Sequence, residues 1–196
     1  MSEQLPEWER LLRAAARLQG ILPDATLVGG TAAAIDAGHR GSMDADHVVA
    51  GLMDRFDQVL GELESAAGWK TARVKRPVAI YGSLDGILTT VRNQIRVAPL
   101  DTNEITVAGH TIRVPTRAEI LRVKAWLIVR RNATRDYLDV AAIAAKLTDT
   151  VDLTEYKALI PEWRDWATVV EQCSRVGTLM ANAVATQRSG WKDVKG

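Results

Sequence analysis

Val28-Gly29-Gly30-Thr31, followed by Arg40-Gly41-Ser42-Met43-Asp44-Ala45-Asp46, is the stretch on which the reading of this chain turns. Residues 26–28 are short and β-prone and run straight into a glycine pair. A helix of small residues is expected over 31–37, with Gly38 as its C-cap. Asp44-Ala45-Asp46-His47-Val48-Val49 then reads as a second strand. On a strand, side chains at i and i+2 share a face, so Asp44 and Asp46 would stand side by side. Two ionised carboxylates so placed repel unless a cation lies between them. Mg²⁺, which takes hard oxygen ligands and shares them with substrate phosphates, is the natural occupant. Alone, the pair reads equally as solvated acids on an edge strand. The glycine pair offers backbone N–H groups at a helix N-terminus, which favour phosphate; alone, it is a plain strand-to-helix turn. Together the two pieces set a phosphate cradle and a metal pair on neighbouring strands. That is what transfer of a nucleotide from a triphosphate requires.

Working outward, residues 5–20 form an amphipathic helix, with Pro6 in its first turn and Trp8, Leu11, Leu12, Ala15 and Leu18 at helical spacing. Leu52, Phe56, Val59, Leu60 and Leu63 share one face of a helix over 52–66. Residues 70–81 are β-like, and Asp85-Gly86 is a turn leading to a strand over 87–91. A hairpin is expected over 104–114, joined near Ala108-Gly109. From Pro115 the chain turns helical: Thr116 and Glu119 have capping-box spacing, a second helix runs over 135–146, and residues 152–187 are helical with a break near Pro161. The expected fold is α+β, a small mixed sheet flanked by helices and followed by a helical C-terminal lobe. The expected domains are 1–114, the core with its N-terminal helix, and 115–196, the lobe that completes the site.

Composition excludes several classes. The 196 residues carry 25 basic and 24 acidic side chains, net +1, so no global field draws in nucleic acid. The single cysteine, Cys173, cannot form an intramolecular disulfide or a cysteine zinc site and reads as a small buried hydrophobe. His39, His47 and His110 lack metal-ligand spacing. No stretch approaches ~20 apolar residues, and the acidic start is unlike a signal peptide, so a cytoplasmic protein with no membrane partner is expected. The six tryptophans, Trp163 and Trp166 among them, point to core packing in the helical lobe.

The order of the motifs resembles a known family. Gly29-Gly30-Thr31-Ala32-Ala33 and Arg40-Gly41-Ser42-Met43-Asp44-Ala45-Asp46 look like the first motif of the AbiEii/MenT toxins, in the polymerase-β-like nucleotidyltransferase superfamily. Val114-Pro115-Thr116, Lys124-Ala125-Trp126, Arg130-Arg131 and Arg135-Asp136-Tyr137-Leu138-Asp139 resemble its later motifs. The match runs in order over residues 25–145.

That resemblance implies a toxin of a toxin–antitoxin system. It would transfer a nucleoside monophosphate from an NTP, CTP or UTP, to the 3′ end of tRNA, blocking aminoacylation, with Mg²⁺ (or Mn²⁺) as cofactor and an antitoxin protein as partner. Asp44 and Asp46 would be catalytic and metal-binding, and Lys124 and Asp136 catalytic. Gly29, Gly30, Thr31, Arg40, Ser42 and Arg131 would bind nucleotide or phosphate. Several of these have a second reading. Lys124 is either functional or a lysine snorkelling over apolar surface. Asp136 and Asp139 share a helix face, at the cleft or in ion pairs with Arg131 or Arg135. Ser42 is a nucleotide contact, and a site for inactivating modification, or a loop serine; Arg40 contacts phosphate or is solvated. The third carboxylate usual on a later central strand is missing from residues 87–92, leaving Asp85, which reads more simply as a turn, or Asp136 to supply it. On strand periodicity Arg73 and Lys75 share one face, and Lys70 and Arg76 the other. Arg92 and Arg96 follow, and Arg122, Arg130 and Arg135 lie near Lys124; such groups give salt-dependent phosphate binding or are merely solvated. Other readings are a transferase for a small metabolite or antibiotic, and a degenerate, non-catalytic nucleotide-binding or interaction module.

Overall fold

The computed structural model describes residues 7–144. Pro6 and the helices expected over 152–187, with Trp163, Trp166 and Cys173, lie outside the described residues. In order, the elements are α1 (Glu7–Ile21), β1 (Thr26–Leu27), α2 (Gly29–Ala37), β2 (Asp44–Val49), α3 (Phe56–Ser65), β3 (Trp69–Lys75), β4 (Ala79–Leu84), β5 (Ile87–Asn93), β6 (Thr102–Val107), β7 (His110–Pro115), α4 (Arg117–Arg131) and α5 (Thr134–Ala144). A single 3₁₀ turn, Leu52–Arg55, leads into α3. The chain divides into two compact units, residues 1–120 and 121–196, so the division falls inside α4.

The first unit is built on a five-stranded mixed sheet in the order β1-β2-β5-β4-β3. β2 and β5 pair in parallel, and the other neighbours are antiparallel. Directly paired residues point to the same face, so the register sorts the side chains. Leu27, Ala45, Val49, Ile87, Val91, Ile80, Leu84 and Trp69 fall on one face and are buried with Leu11, Leu12, Ala15 and Leu18 of α1 and Val59 and Leu63 of α3. Each such leucine, fully buried, contributes about 1.5–3 kcal/mol. Asp44, Asp46, Leu88, Thr90, Arg92, Tyr81, Ser83 and Arg73 fall on the opposite face.

Three local details differ from expectation. The β-like run over 70–81 is two strands, because Pro77 has no N–H to give a ladder; the Val78 N–H instead closes a turn on the Lys75 carbonyl at 2.8 Å. The Thr116 hydroxyl accepts the Glu119 N–H at 3.2 Å, the expected half of a capping box. The other half is absent: the Thr116 N–H goes to the Asp101 carbonyl, and the buried Glu119 carboxylate pairs with Arg96 at 3.1 Å. Finally, the ladder shifts register between Thr71 and Arg73, so Ala72 is an extra, bulged residue. Lys70 pairs with Ser83 and Arg73 with Tyr81, which puts Lys70 on the same face as Arg73 and Lys75 rather than opposite them.

Candidate active site

The first unit brings Gly29, Gly30, Thr31, Arg40, Ser42, Asp44 and Asp46 together at the start of α2 and of β2. β2 alternates exposed and buried positions, with Ala45, His47 and Val49 turned to the core. Asp44 is therefore exposed and Asp46 half-buried on the same side of the strand. Gly29 opens α2 in the left-handed region, at φ 74°, a conformation costing a non-glycine residue ~1–2 kcal/mol. A Cβ there would lie 3.1 Å from Asp46 Oδ2, and one on Gly30 would lie 2.5 Å from an Arg40 guanidinium nitrogen. The glycine pair thus lets a carboxylate and a guanidinium approach the helix start. Val28, at the N-cap, is extended and no side chain caps the helix, so the first turn of α2 presents backbone N–H groups where anions are favoured.

Thr31 is buried, and its hydroxyl lies 2.5 Å from the Asp44 carbonyl and 2.8 Å from Ser42 Oγ. Ser42 Oγ lies 3.1 Å from Asp44 Oδ1. A carbonyl only accepts, so the Thr31 proton goes to Asp44, and the single Ser42 proton serves either Thr31 or the Asp44 carboxylate. Thr31 therefore ties α2 to the start of β2 and orients Ser42 toward Asp44. Arg40 reaches the Gly41 carbonyl at 3.2 Å.

Two carboxylates side by side at a mouth lined by backbone N–H groups fit Mg²⁺, which is commonly held by one or two carboxylates plus substrate phosphates. Among the described residues, no group of three or more His, Cys, Asp or Glu side chains is placed to hold a metal. Beside Asp44 and Asp46, β5 presents Leu88 and Thr90. Asp85 sits in the β4–β5 turn at φ 52°, ion-paired with Arg17 at 2.5 Å. Its carboxylate anchors the turn to α1, and it does not join the Asp44/Asp46 pair.

Directly beneath the pair, His47 is fully buried. Burial pushes its pKa down to about 4, against the raising effect of a hydrogen bond with the Ala45 carbonyl, so the ring is neutral at pH 7.

In the second unit, Lys124, Asp136 and Asp139 are all buried. Lys124 Nζ lies 2.6 Å from Asp139 Oδ2 and 3.3 Å from Asp136 Oδ1. Arg131 grips Asp136 with two bonds, 2.7 and 2.8 Å. Burial works to raise the Asp136 pKa, but the Arg131 hydrogen bond and the charges of Lys124 and Arg131 outweigh it and hold the carboxyl below its ordinary value. Two cations and two anions thus meet in one cluster.

No protein-family model matches the sequence, and no curated protein matches it. Solved structures do match its shape. A nucleotidyltransferase-like antigenic protein of Paracoccidioides brasiliensis superposes with TM-score 0.52 at 16% identity, over 84% of this chain and 92% of its own. The chain has the nucleotidyltransferase fold. ANT(2")-Ia, solved with adenylyl-2"-tobramycin, gives TM-score 0.55 at 14% identity, covering 77% of this chain and 93% of that one. The lincosamide antibiotic adenylyltransferase LnuA, solved with lincomycin, gives 0.50 at 14%, covering 73% and 99%. Among the described residues, no helix of this nucleotidyltransferase-fold chain is long and apolar enough to cross a membrane.

Sequence reasoning singled out Asp44, Asp46 and the glycine pair, and the fold gathers them. It missed Tyr81, whose ring lies under the guanidiniums of Arg73 and Arg92 at 4.7 and 5.3 Å. That meeting depends on strand pairing, for which a single sequence carries no signal.

Proposed function

We propose that the protein is a metal-dependent nucleotidyltransferase that moves a nucleoside monophosphate from an NTP, CTP or UTP, to the 3′ end of tRNA, acting as the toxin of a toxin–antitoxin pair. The reading rests on the side-by-side Asp44 and Asp46 against the uncapped glycine start of α2. Asp44 and Asp46 would hold Mg²⁺, which would supply charge neutralisation for the triphosphate and polarisation of the attacked phosphoryl group. The α2 N–H groups and Arg40 take the phosphates, Ser42 steadies Asp44, and Thr31 fixes both. The acceptor hydroxyl oxygen bonds to the α-phosphorus and loses its proton to solvent, and the α–β anhydride bond breaks to release pyrophosphate. Lys124, Asp136, Asp139 and Arg131, bound to one another, act in this reading as positioning residues that set α4 against α5.

Incubation with Mg²⁺, total tRNA and each labelled NTP in turn tests the reading; label on tRNA is expected with a pyrimidine triphosphate. A second reading, transfer to a hydroxylated small molecule, is favoured by the antibiotic-bound neighbours of the same fold. It predicts that tRNA stays unlabelled while an added small acceptor is modified. An antitoxin partner predicts that expression alone arrests growth and that co-expression of the cognate protein relieves it.

A further inference from the structure

The face of the sheet that carries Asp46 continues as a straight row through Thr90 and Tyr81 to Arg73, because each is the register partner of the next. Three strand spacings make that row about 14 Å long. Lys70, Lys75 and Arg92 flank it on the same face, Lys70 by virtue of the Ala72 bulge. All four cations are exposed.

Their partners set them apart. Elsewhere in the first unit, Arg17 pairs with Asp85, Arg55 with Asp24, Arg76 with Asp57, Arg96 with Glu119, Arg113 with Glu104 and Arg117 with Asp36. Among the described residues, no carboxylate pairs with Lys70, Arg73, Lys75 or Arg92. The two arginines lie instead against the Tyr81 ring, a cation–π arrangement that holds the guanidiniums in place yet leaves their charge uncompensated. The chain has 24 acids for 25 bases, yet no described carboxylate pairs with these four cations, and so many like charges gathered on one sheet face call for an external polyanion.

We infer that this face binds the sugar–phosphate backbone of single-stranded RNA, leading the strand over Lys70, Arg73, Tyr81 and Arg92 toward Asp46. The inference deepens the tRNA reading above and rests on it for the direction of the strand, not for the binding. A regular array of phosphates matches cations spread over the row; a compact ligand reaches only one end of it. A cationic small acceptor would be repelled by the same charges.

The test is fluorescence anisotropy of a labelled single-stranded RNA with the full chain, without NTP and with EDTA, over a range of salt. Single strands lose affinity with a log–log slope of about −0.7 per phosphate neutralised, so four contacts give a slope of about −2.8. Arg73→Gln with Arg92→Gln is expected to bring it to about −1.4. Tyr81→Leu keeps every charge but releases the two guanidiniums from the ring, so the slope stays while affinity falls roughly two- to fivefold. Arg55→Gln and Arg113→Gln, whose wild-type residues are paired with acids elsewhere, leave both unchanged. Wild-type protein that fails to bind RNA, a slope unmoved by the double substitution, or displacement of the RNA by polyglutamate as effectively as by unlabelled RNA would each overturn the inference. Since the assay contains neither triphosphate nor divalent cation, it succeeds or fails independently of catalysis. Tight RNA binding without nucleotide transfer would sink the function reading and keep this face; transfer to tRNA with binding indifferent to Arg73 and Arg92 would do the reverse.

Discussion

Replacing Lys124 by Met separates a lysine that serves the fold from one that serves the substrate. Lys124 is 2% exposed, with its ammonium 2.6 Å from Asp139 and 3.3 Å from Asp136. Asp136 keeps its two bonds from Arg131 in the variant, but Asp139 loses its 2.6 Å ion pair with the ammonium and remains buried. Breaking one side of a buried pair typically costs about 3–5 kcal/mol, most of it the price of an uncompensated charge. With a urea dependence near 2 kcal/mol/M, the unfolding midpoint should fall by roughly 1.5–2.5 M. Adding Asp139→Leu removes the buried carboxylate that lost the ammonium, and the double variant should recover much of the loss. Urea titrations of the three proteins, followed by tryptophan fluorescence, make the comparison. Should Lys124→Met unfold at the wild-type midpoint while losing NTP affinity, the ammonium would be offered to substrate and the closed-cluster argument refuted.

Gly29→Ala forces a side chain into the left-handed region and against Asp46; a stability loss of about 1–2 kcal/mol and a drop in transfer rate are expected. Gly38→Ala carries the same backbone strain, at φ 64° with nothing within 4 Å of the added carbon, so it should lose stability and keep activity, measured by melting and by tRNA labelling. His47, with its folded pKa pushed down to about 4, makes stability depend on pH with a definite sign. The unfolded ring takes up its proton near pH 6.5 and the folded ring only near 4, so this contribution is complete above 6.5 and fades as pH falls toward 4, by up to roughly 3 kcal/mol. His47→Leu should flatten the urea midpoint between pH 6.5 and 5, a window above the range in which the Asp136 carboxyl titrates.

The parts of the fold that were legible in the sequence are those set by local pattern. β2 was readable because polar and apolar residues alternate through Asp44-Ala45-Asp46-His47-Val48-Val49, and its ends match the expectation. The turn at Asp85-Gly86 was readable because positive φ at successive positions favours an Asp-Gly pair, and that at Ala108-Gly109 by its glycine between two β-prone runs. What depends on pairing was not. The bulge at Ala72 reverses the face of Lys70, and only the ladder with β4 reveals it. Asp85 was a candidate third carboxylate until Arg17, 68 residues away, claimed it. Lys124 illustrates the middle case: a lysine among Ile120, Leu121, Ala125 and Ile128 announces a buried charge, and the helical spacing of Asp136 and Asp139 announces a shared face, yet that they close on one another is a fact of tertiary structure.

The central claim is nucleotidyl transfer governed by Asp44 and Asp46, and the position of the label decides it. With Mg²⁺, tRNA and NTP labelled at the α-phosphate, the wild-type protein should place label on the RNA 3′ end and release unlabelled pyrophosphate, Asp44→Asn should abolish both, and chelation of the metal should do the same. RNA that stays unlabelled with every NTP, or label transfer that survives Asp44→Asn, would contradict the account.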